Sequence, residues 1–162
     1  GTPEVRLRGD CLVLPYTKTL ASVALATLAA LEAPVASPGG PEEERLRVLC
    51  VGLGGGSVPA FLAHFLPHAE VDCAELEPAV VKAATEAMGF VEGPRLRAHA
   101  EDGAAFVLRA AGAGRSYDAV LVDAYLHDGS VPAELCSCDG GLARALAAGL
   151  LRERGLVAIN LK

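Results

Sequence analysis

Short apolar runs alternate along this chain with longer stretches in which apolar residues recur at helical spacing. The runs predict strands at residues 47–51, 71–76, 96–99, 117–123 and 155–161. The stretches between them predict helices that begin near residue 57 and that span residues 79–88, 102–111 and 140–151. Strands that alternate with helices predict an α/β fold with a doubly wound parallel sheet and right-handed crossovers.

The chain before this sheet has three further predicted features. Residues 5–14 predict two short strands around a turn at Gly9 and Asp10. Residues 20–31 predict a packing helix, because about a dozen apolar residues are too few for the roughly 20 that cross a bilayer. Residues 34–44 contain three prolines and end in acidic residues, which predicts a flexible surface loop.

The first strand of the sheet stops at a glycine-rich loop, in which four of residues 52–56 are glycine. Glycine adopts backbone angles closed to other residues, and its missing Cβ lets a ligand approach the main chain. Ser57 is predicted to cap the following helix, with Pro59 in the first turn. This pattern favours a nucleotide-binding corner, although an ordinary strand-to-helix turn has the same residues.

Three acidic residues stand at the ends of successive strands: Glu75, Asp102 and Asp123. Ligands of open α/β sheets bind beyond the carboxyl ends of the strands, so these side chains are expected to converge on one ligand. Glu75 can accept from two ribose hydroxyls, Asp102 from an adenine amine, and Asp123 can face a cationic group. Each carboxylate taken alone also fits a solvated loop residue or a helix cap.

Composition narrows the class of protein. The 162 residues are 52% hydrophobic with a mean hydropathy of +0.37, which predicts one domain with a real core. A net charge of −6 and no basic cluster argue against a nucleic-acid partner and favour a cationic substrate. Five cysteines, two of them in predicted strands (Cys50 and Cys73), predict reduced thiols and an intracellular protein, and none has the spacing of a zinc site.

Four segments of the chain together carry a resemblance to a known family. They are residues 48–57, residues 74–78, residues 101–103 and residues 117–125. They resemble motifs of class I S-adenosylmethionine-dependent methyltransferases of the spermidine-synthase-like type, which have a Rossmann-like fold. Within that type the chain resembles the C-terminal half of the eukaryotic methyltransferases that act on elongation factor 1A.

The resemblance implies S-adenosylmethionine as the cofactor and assigns a role to each segment. By position, the loop would contact the methionine part of the cofactor, the second segment the ribose, the third the adenine, and the fourth the transferred methyl. The implied binding residues are Gly52, Gly54, Gly56, Glu75, Leu76, Asp102, Gly103, Asp123 and Ala124. Asp123 is also the predicted catalytic residue, orienting an amine, while Tyr16, Lys18 and Tyr125 are candidate lids or contacts of the cofactor carboxylate.

The same resemblance implies a protein substrate such as a translation elongation factor. The reduced cysteines predict a cytoplasmic location, and a homodimer is a further prediction. The resemblance also leaves two alternatives, a polyamine aminopropyltransferase and a non-catalytic cofactor-binding module. Spermidine synthases carry acids where this chain has Ser57 and Leu126, and a polyamine needs several carboxylates, so aminopropyl transfer is disfavoured. A dehydrogenase ranks third, because its Gly-x-Gly-x-x-Gly motif needs glycine at position 57.

The family's sheet has seven strands, and this sequence stops at Lys162, just after the fifth. We therefore expect a single domain that lacks the last two strands. In that case residues 155–161 would form an uncovered apolar edge that self-associates.

Overall fold

A computed structural model describes residues 5–30 and 45–161 of the chain. Its central feature is a sheet of five parallel strands in the order β3-β2-β1-β4-β5. The strands are β1 (Arg47–Val51), β2 (Glu70–Glu75), β3 (Leu96–Ala100), β4 (Tyr117–Val122) and β5 (Leu151–Ile159). This confirms the predicted α/β fold with a parallel sheet.

Helices cover both faces of the sheet. They are α1 (Pro15–Ala30), α2 (Ser57–Phe65), α3 (Pro78–Glu86), α4 (Gly103–Gly112), α5 (Ala133–Cys136) and α6 (Gly141–Ala147). Successive residues of β1 point to opposite faces: Val48 and Cys50 pack with α1, α2 and α3, whereas Leu49 and Val51 pack with α4, α5 and α6. Two apolar cores around one sheet explain why the strands read as continuous apolar runs.

The strand order reverses beside β1, which lies between β2 and β4. The loops that follow β1 and β4 therefore leave the sheet next to each other and diverge, opening a crevice at their carboxyl ends. The glycine loop (residues 52–56) and Asp123 both lie at this point, so the topology places the predicted site residues together.

The predicted strands at residues 5–14 are wrong. Residues 9 and 10 do form a turn, but the flanking residues pair with no strand in the part of the chain that the structure describes. Leu7 N donates one hydrogen bond, of 3.2 Å, to Gly89 O. The segment crosses α2 instead, since a Cβ on Gly9 would lie 3.2 Å from Ala60 O. The helix predicted at 20–31 begins earlier, at Pro15. Proline is tolerated there because a residue in the first turn of a helix has no intrahelical partner for its N–H group.

The predicted boundary between the last helix and the last strand is also wrong. α6 ends at Ala147 and β5 begins at Leu151, because Gly149 at φ +92° turns the chain and Leu150 is completely buried. The short helix α5 was not predicted. Residues 31–44, including the predicted loop at 34–44, lie outside the described residues.

Three further observations bear on the predictions. Within residues 5–30 and 45–161, no helix has the length and apolar character needed to cross a membrane. The five cysteines are free thiols. In the same described ranges, β5 pairs with β4 on one side and with no strand on the other; self-association through this edge stays a prediction.

Candidate functional site

Two cavities open at the carboxyl end of the sheet. One, of about 260 Å³, is lined by Glu75, Leu76, Asp102 and Gly103 among others, and we call it the Glu75 cavity. The other, of about 250 Å³, is lined by Tyr16, Thr17, Ser57 and Pro59 among others, and we call it the Tyr16 cavity. Both share a wall made of Gly52, Gly54, Asp123 and Tyr125. Alone each is small for a ligand site, but joined they reach the usual range of roughly 300–1,000 Å³.

The glycine loop contributes Gly52 and Gly54 to the wall that the two cavities share. Gly52 N donates to Ala74 O at 2.8 Å, and its φ is +96°; a Cβ there would collide with the carbonyl oxygen of Asp123. Gly54 is different, since a Cβ there would meet nothing within 4 Å. Gly52 is therefore required by packing, whereas Gly54 leaves main chain open to a ligand. Gly56 lines neither cavity and packs against Phe90.

The start of α2 differs from the prediction. Gly56, in the left-handed conformation, is the N-cap, and no side chain caps the helix. Ser57 is the first helical residue and lines the Tyr16 cavity, so its predicted capping role is wrong. Glycine is preferred because Gly56 lies under the Phe90 ring, where a side chain would collide.

Glu75 holds the glycine loop through its carboxylate. Its Oε2 accepts from Leu53 N at 2.9 Å, and its Oε1 accepts from Glu77 N at 3.0 Å. A carboxylate has about four lone-pair sites, so each oxygen keeps capacity for one further donor. Glu75 thus combines a structural role that was not predicted with room for the predicted contact to two hydroxyls.

Asp102 and Gly103 stand at the start of α4. Asp102 is its N-cap, and Oδ1 accepts from Ala105 N at 2.8 Å, which is the helix-cap alternative considered above. Gly103 packs against Val51, whose Cγ1 a Cβ would strike. Both residues line the Glu75 cavity together with Leu76 and Ala124, so the binding residues predicted for the adenosine side do come together.

Asp123 belongs to a cluster that sequence reasoning missed in part. Asp123 N donates to Val51 O at 2.8 Å, and its Oδ1 accepts from Asn160 Nδ2 at 3.0 Å. The hydroxyl of Tyr125 donates to Asn160 O at 3.0 Å. Asn160 is a polar residue directly after β5, at the same edge of the sheet as Glu75 and Asp123. This position at a strand end could have identified it as a site residue from the sequence.

Two tyrosines adjoin the Asp123 carboxylate. Burial raises the pKa of Tyr16, and the negative charge of Asp123 raises it further. The pKa of Tyr125 is raised by burial first, then by Asp123 and by Tyr16. Both phenols therefore stay protonated at neutral pH and can donate hydrogen bonds. Lys18, the third candidate lid, is exposed on α1 and lines neither cavity.

No protein-family model matches the chain. It is 36% identical over 81 residues to the eEF1A lysine and N-terminal methyltransferase of Homo sapiens, covering 48% of this chain and 12% of that protein. It is 38% identical over 79 residues to the polyamine aminopropyltransferase of Vibrio vulnificus strain CMCP6, covering 49% of this chain and 26% of that protein. The chain thus spans about an eighth and a quarter of the length of these two curated relatives.

A solved structure extends the likeness to nearly the whole chain. Human methyltransferase-like protein 13 in complex with SAH superposes with a TM-score of 0.73 at 26% identity, over 90% of this chain and 64% of the other. The predicted resemblance is confirmed. The chain has the class I, Rossmann-like fold and is similar to S-adenosylmethionine-dependent methyltransferases of the spermidine-synthase-like type.

Proposed function

We propose that this chain is the cofactor-binding domain of an S-adenosylmethionine-dependent methyltransferase that acts on a protein amine. The observation that carries the proposal is the shared wall of the two cavities, where Gly52 and Gly54 meet Asp123. A ligand lying across this wall would place one end beside Glu75 and its other end beside Tyr16.

The residues present fit the adenosine part of the cofactor in the Glu75 cavity. Glu75 keeps two acceptor positions for the ribose hydroxyls, and Asp102 is exposed at the mouth. Leu76 and Val80 supply apolar walls for the base. The open main chain at Gly54 leaves space for the methionine part to pass into the Tyr16 cavity.

S-adenosylmethionine supplies a methyl group on a sulfonium, and transfer forms a bond to the acceptor as the carbon–sulfur bond breaks and its electron pair stays on sulfur. The protein's task is mainly to align the acceptor and exclude water. Asp123 is the proposed catalytic residue, because its carboxylate lies at the wall and can orient an amine nitrogen while that nitrogen releases its proton to solvent. Tyr16 and Tyr125 flank the same position.

The proposed acceptor is a protein amine, such as a lysine or N-terminus of a translation elongation factor. Support comes from the human relative, which is an eEF1A lysine and N-terminal methyltransferase, from the carboxylate at the wall, and from the net charge of −6. A cytoplasmic location and a homodimer stay predictions.

Aminopropyl transfer is the second candidate, favoured by the likeness to the Vibrio enzyme. Against it, Ser57 lines the Tyr16 cavity and Leu126 lines the Glu75 cavity, the two positions where the sequence comparison expected acids. With decarboxylated S-adenosylmethionine and putrescine, the full-length protein should form no spermidine. Formation of spermidine would instead show that the protein is an aminopropyltransferase.

The direct test is a methylation assay. Full-length protein is incubated with labelled S-adenosylmethionine and either purified elongation factor 1A or a cell lysate, beside an Asp123→Ala variant and a Glu86→Gln control on the exposed face of α3. Label should enter protein amines with wild type and Glu86→Gln and be strongly reduced with Asp123→Ala. Cofactor binding without transfer to any protein would instead support the non-catalytic module.

A further inference from the structure

Asn160 directly follows β5 and lies beside the wall that the two cavities share. Its backbone N donates to Val122 O at 2.8 Å, one step beyond the last paired residues, Val122 and Ile159. Its Nδ2 donates to Asp123 Oδ1, and its carbonyl oxygen accepts from Tyr125. One residue therefore holds both of the polar side chains that the two cavities share.

The geometry points to Asn160 as the positioning residue that aims Asp123 at a cationic or amine-bearing acceptor, an inference that rests on the proposed methyltransferase function. An ionised carboxylate can only accept hydrogen bonds, so the amide NH2 must face Asp123 and the side chain is oriented by its partner. The bond fixes Oδ1. Among the described residues Oδ2 has no protein partner, and it stays available to the acceptor.

The choice of an amide matters for the charge of the site. A lysine or arginine at position 160 would hold Asp123 equally well but would neutralise it, as arginines do for the carboxylates at the other end of the strands. A neutral donor orients the carboxylate and leaves its full negative charge facing the cavities. That arrangement suits a cationic group and disfavours an anionic or purely apolar acceptor.

Asn160 should matter little for the cofactor itself. The main chain of Asp123 is fixed separately by its bond to Val51 O, and the glycine loop by the bonds of Gly52 and Glu75. Replacing Asn160 should therefore release the Asp123 side chain without moving the loop. This separation gives a binding test that needs no knowledge of the acceptor.

The probes are S-adenosylhomocysteine and sinefungin, a cofactor analogue that carries an amine at the position of the methyl group. Calorimetry on the full-length protein should show sinefungin binding at least about tenfold more tightly than S-adenosylhomocysteine, the scale of a charge-assisted hydrogen bond. In Asn160→Leu this preference should fall below about threefold, while affinity for S-adenosylhomocysteine changes less than about twofold. The Leu161→Ala variant, at the exposed neighbour, should keep the wild-type preference.

Three results would overturn the inference. An unchanged preference in Asn160→Leu would show that Asp123 needs no positioning, and an equal loss for both ligands would show a merely structural role. Failure of the wild type to bind either ligand would overturn the proposed function itself, and this inference with it. Should Asn160→Leu not fold, Asn160→Ser, whose hydroxyl is too short to reach Asp123, replaces it with the same expected ratio.

Discussion

Carboxylates occur at both ends of the parallel strands, but their partners differ. At the amino end, Asp72 accepts from Arg115 at 2.6 Å and from Tyr117 at 2.9 Å, and lies 3.0 Å from His99 Nε2. Asp118 there accepts from Arg152 at 2.9 Å. At the carboxyl end, Glu75, Asp102 and Asp123 accept from neutral backbone or amide N–H groups.

The difference separates structural acids from ligand-binding acids. Asp72 is 5% exposed and forms an ion pair with Arg115, so its charge is neutralised inside the fold and does not face a ligand. The carboxylates of the other end keep their charge and part of their hydrogen-bonding capacity, and they border cavities. Substitutions at the amino end should therefore affect stability, and those at the carboxyl end should affect ligand binding.

The largest expected effect is the loss of stability in Asp72→Asn. Removing this charge leaves Arg115 without its main partner and weakens the bond to Tyr117, which should lower the free energy of unfolding at pH 7 by about 3 kcal/mol. Chemical denaturation measures it. Affinity for S-adenosylhomocysteine, measured on the folded fraction, should be unchanged; a variant as stable as wild type would refute the assigned role of this network.

The same residue predicts a pH dependence. Burial raises the pKa of Asp72, but hydrogen bonds from His99 and Arg115 outweigh it and hold the pKa below its ordinary value of 3.8. Because the folded-state pKa is the lower one, the stabilisation is complete above the unfolded pKa and disappears as the pH falls through the folded one. The stability difference between wild type and Asp72→Asn should therefore shrink as the pH drops below 3.8. A difference that grew on acidification would contradict this sign.

At the carboxyl end of the strands, Gly52→Ala should strongly impair cofactor binding. The added Cβ would collide with the carbonyl oxygen of Asp123, at a φ of +96°, and the strain of roughly 1–3 kcal/mol should displace the shared wall. We expect cofactor affinity to fall by about 30-fold or more. Gly114→Ala is the matched control, since Gly114 also has a positive φ but a Cβ there meets nothing; equal losses in both would point to general destabilisation.

Glu75→Ala should weaken cofactor binding by about 1–3 kcal/mol, the value of hydrogen bonds to a charged group. The loss combines missing ligand contacts with the freed Leu53 N–H in the loop. Calorimetric titration with S-adenosylhomocysteine measures this loss, with Glu86→Gln as the control variant. Unaltered affinity in Glu75→Ala would exclude the ribose role.

The smallest effect is expected for Tyr125→Phe, which removes the hydrogen bond to Asn160 O. The free energy of unfolding, measured by chemical denaturation, should fall by about 1 kcal/mol, the net value of one neutral hydrogen bond. A loss as large as that in Asp72→Asn would remove the contrast between the two ends of the sheet.

The fold and the position of the site could be predicted from local pattern. Buried strands followed by glycine or acidic residues mark the carboxyl ends in the sequence itself, so Gly52, Glu75, Asp102 and Asp123 could be expected at one edge. The segment at 5–14 was misassigned because alternating apolar residues do not reveal whether a partner strand exists. The early end of α6 depends on how Gly149 and Leu150 pack.

Long-range pairing explains what was missed. Asn160 lies 37 residues from Asp123, and Asp72 lies 43 from Arg115; neither pair has a local signature. The capping role of Ser57 failed for a similar reason, since the Phe90 ring that favours glycine at position 56 comes from beyond α3.

The most direct test of the whole account is a calorimetric titration of the full-length protein with S-adenosylhomocysteine and, separately, with NAD. We expect S-adenosylhomocysteine to bind and NAD to bind far more weakly, because Gly54 and Glu75 line a crevice in which Ser57 replaces the third glycine of a dinucleotide motif. A folded protein that binds NAD in preference, or neither ligand, would contradict the central claim.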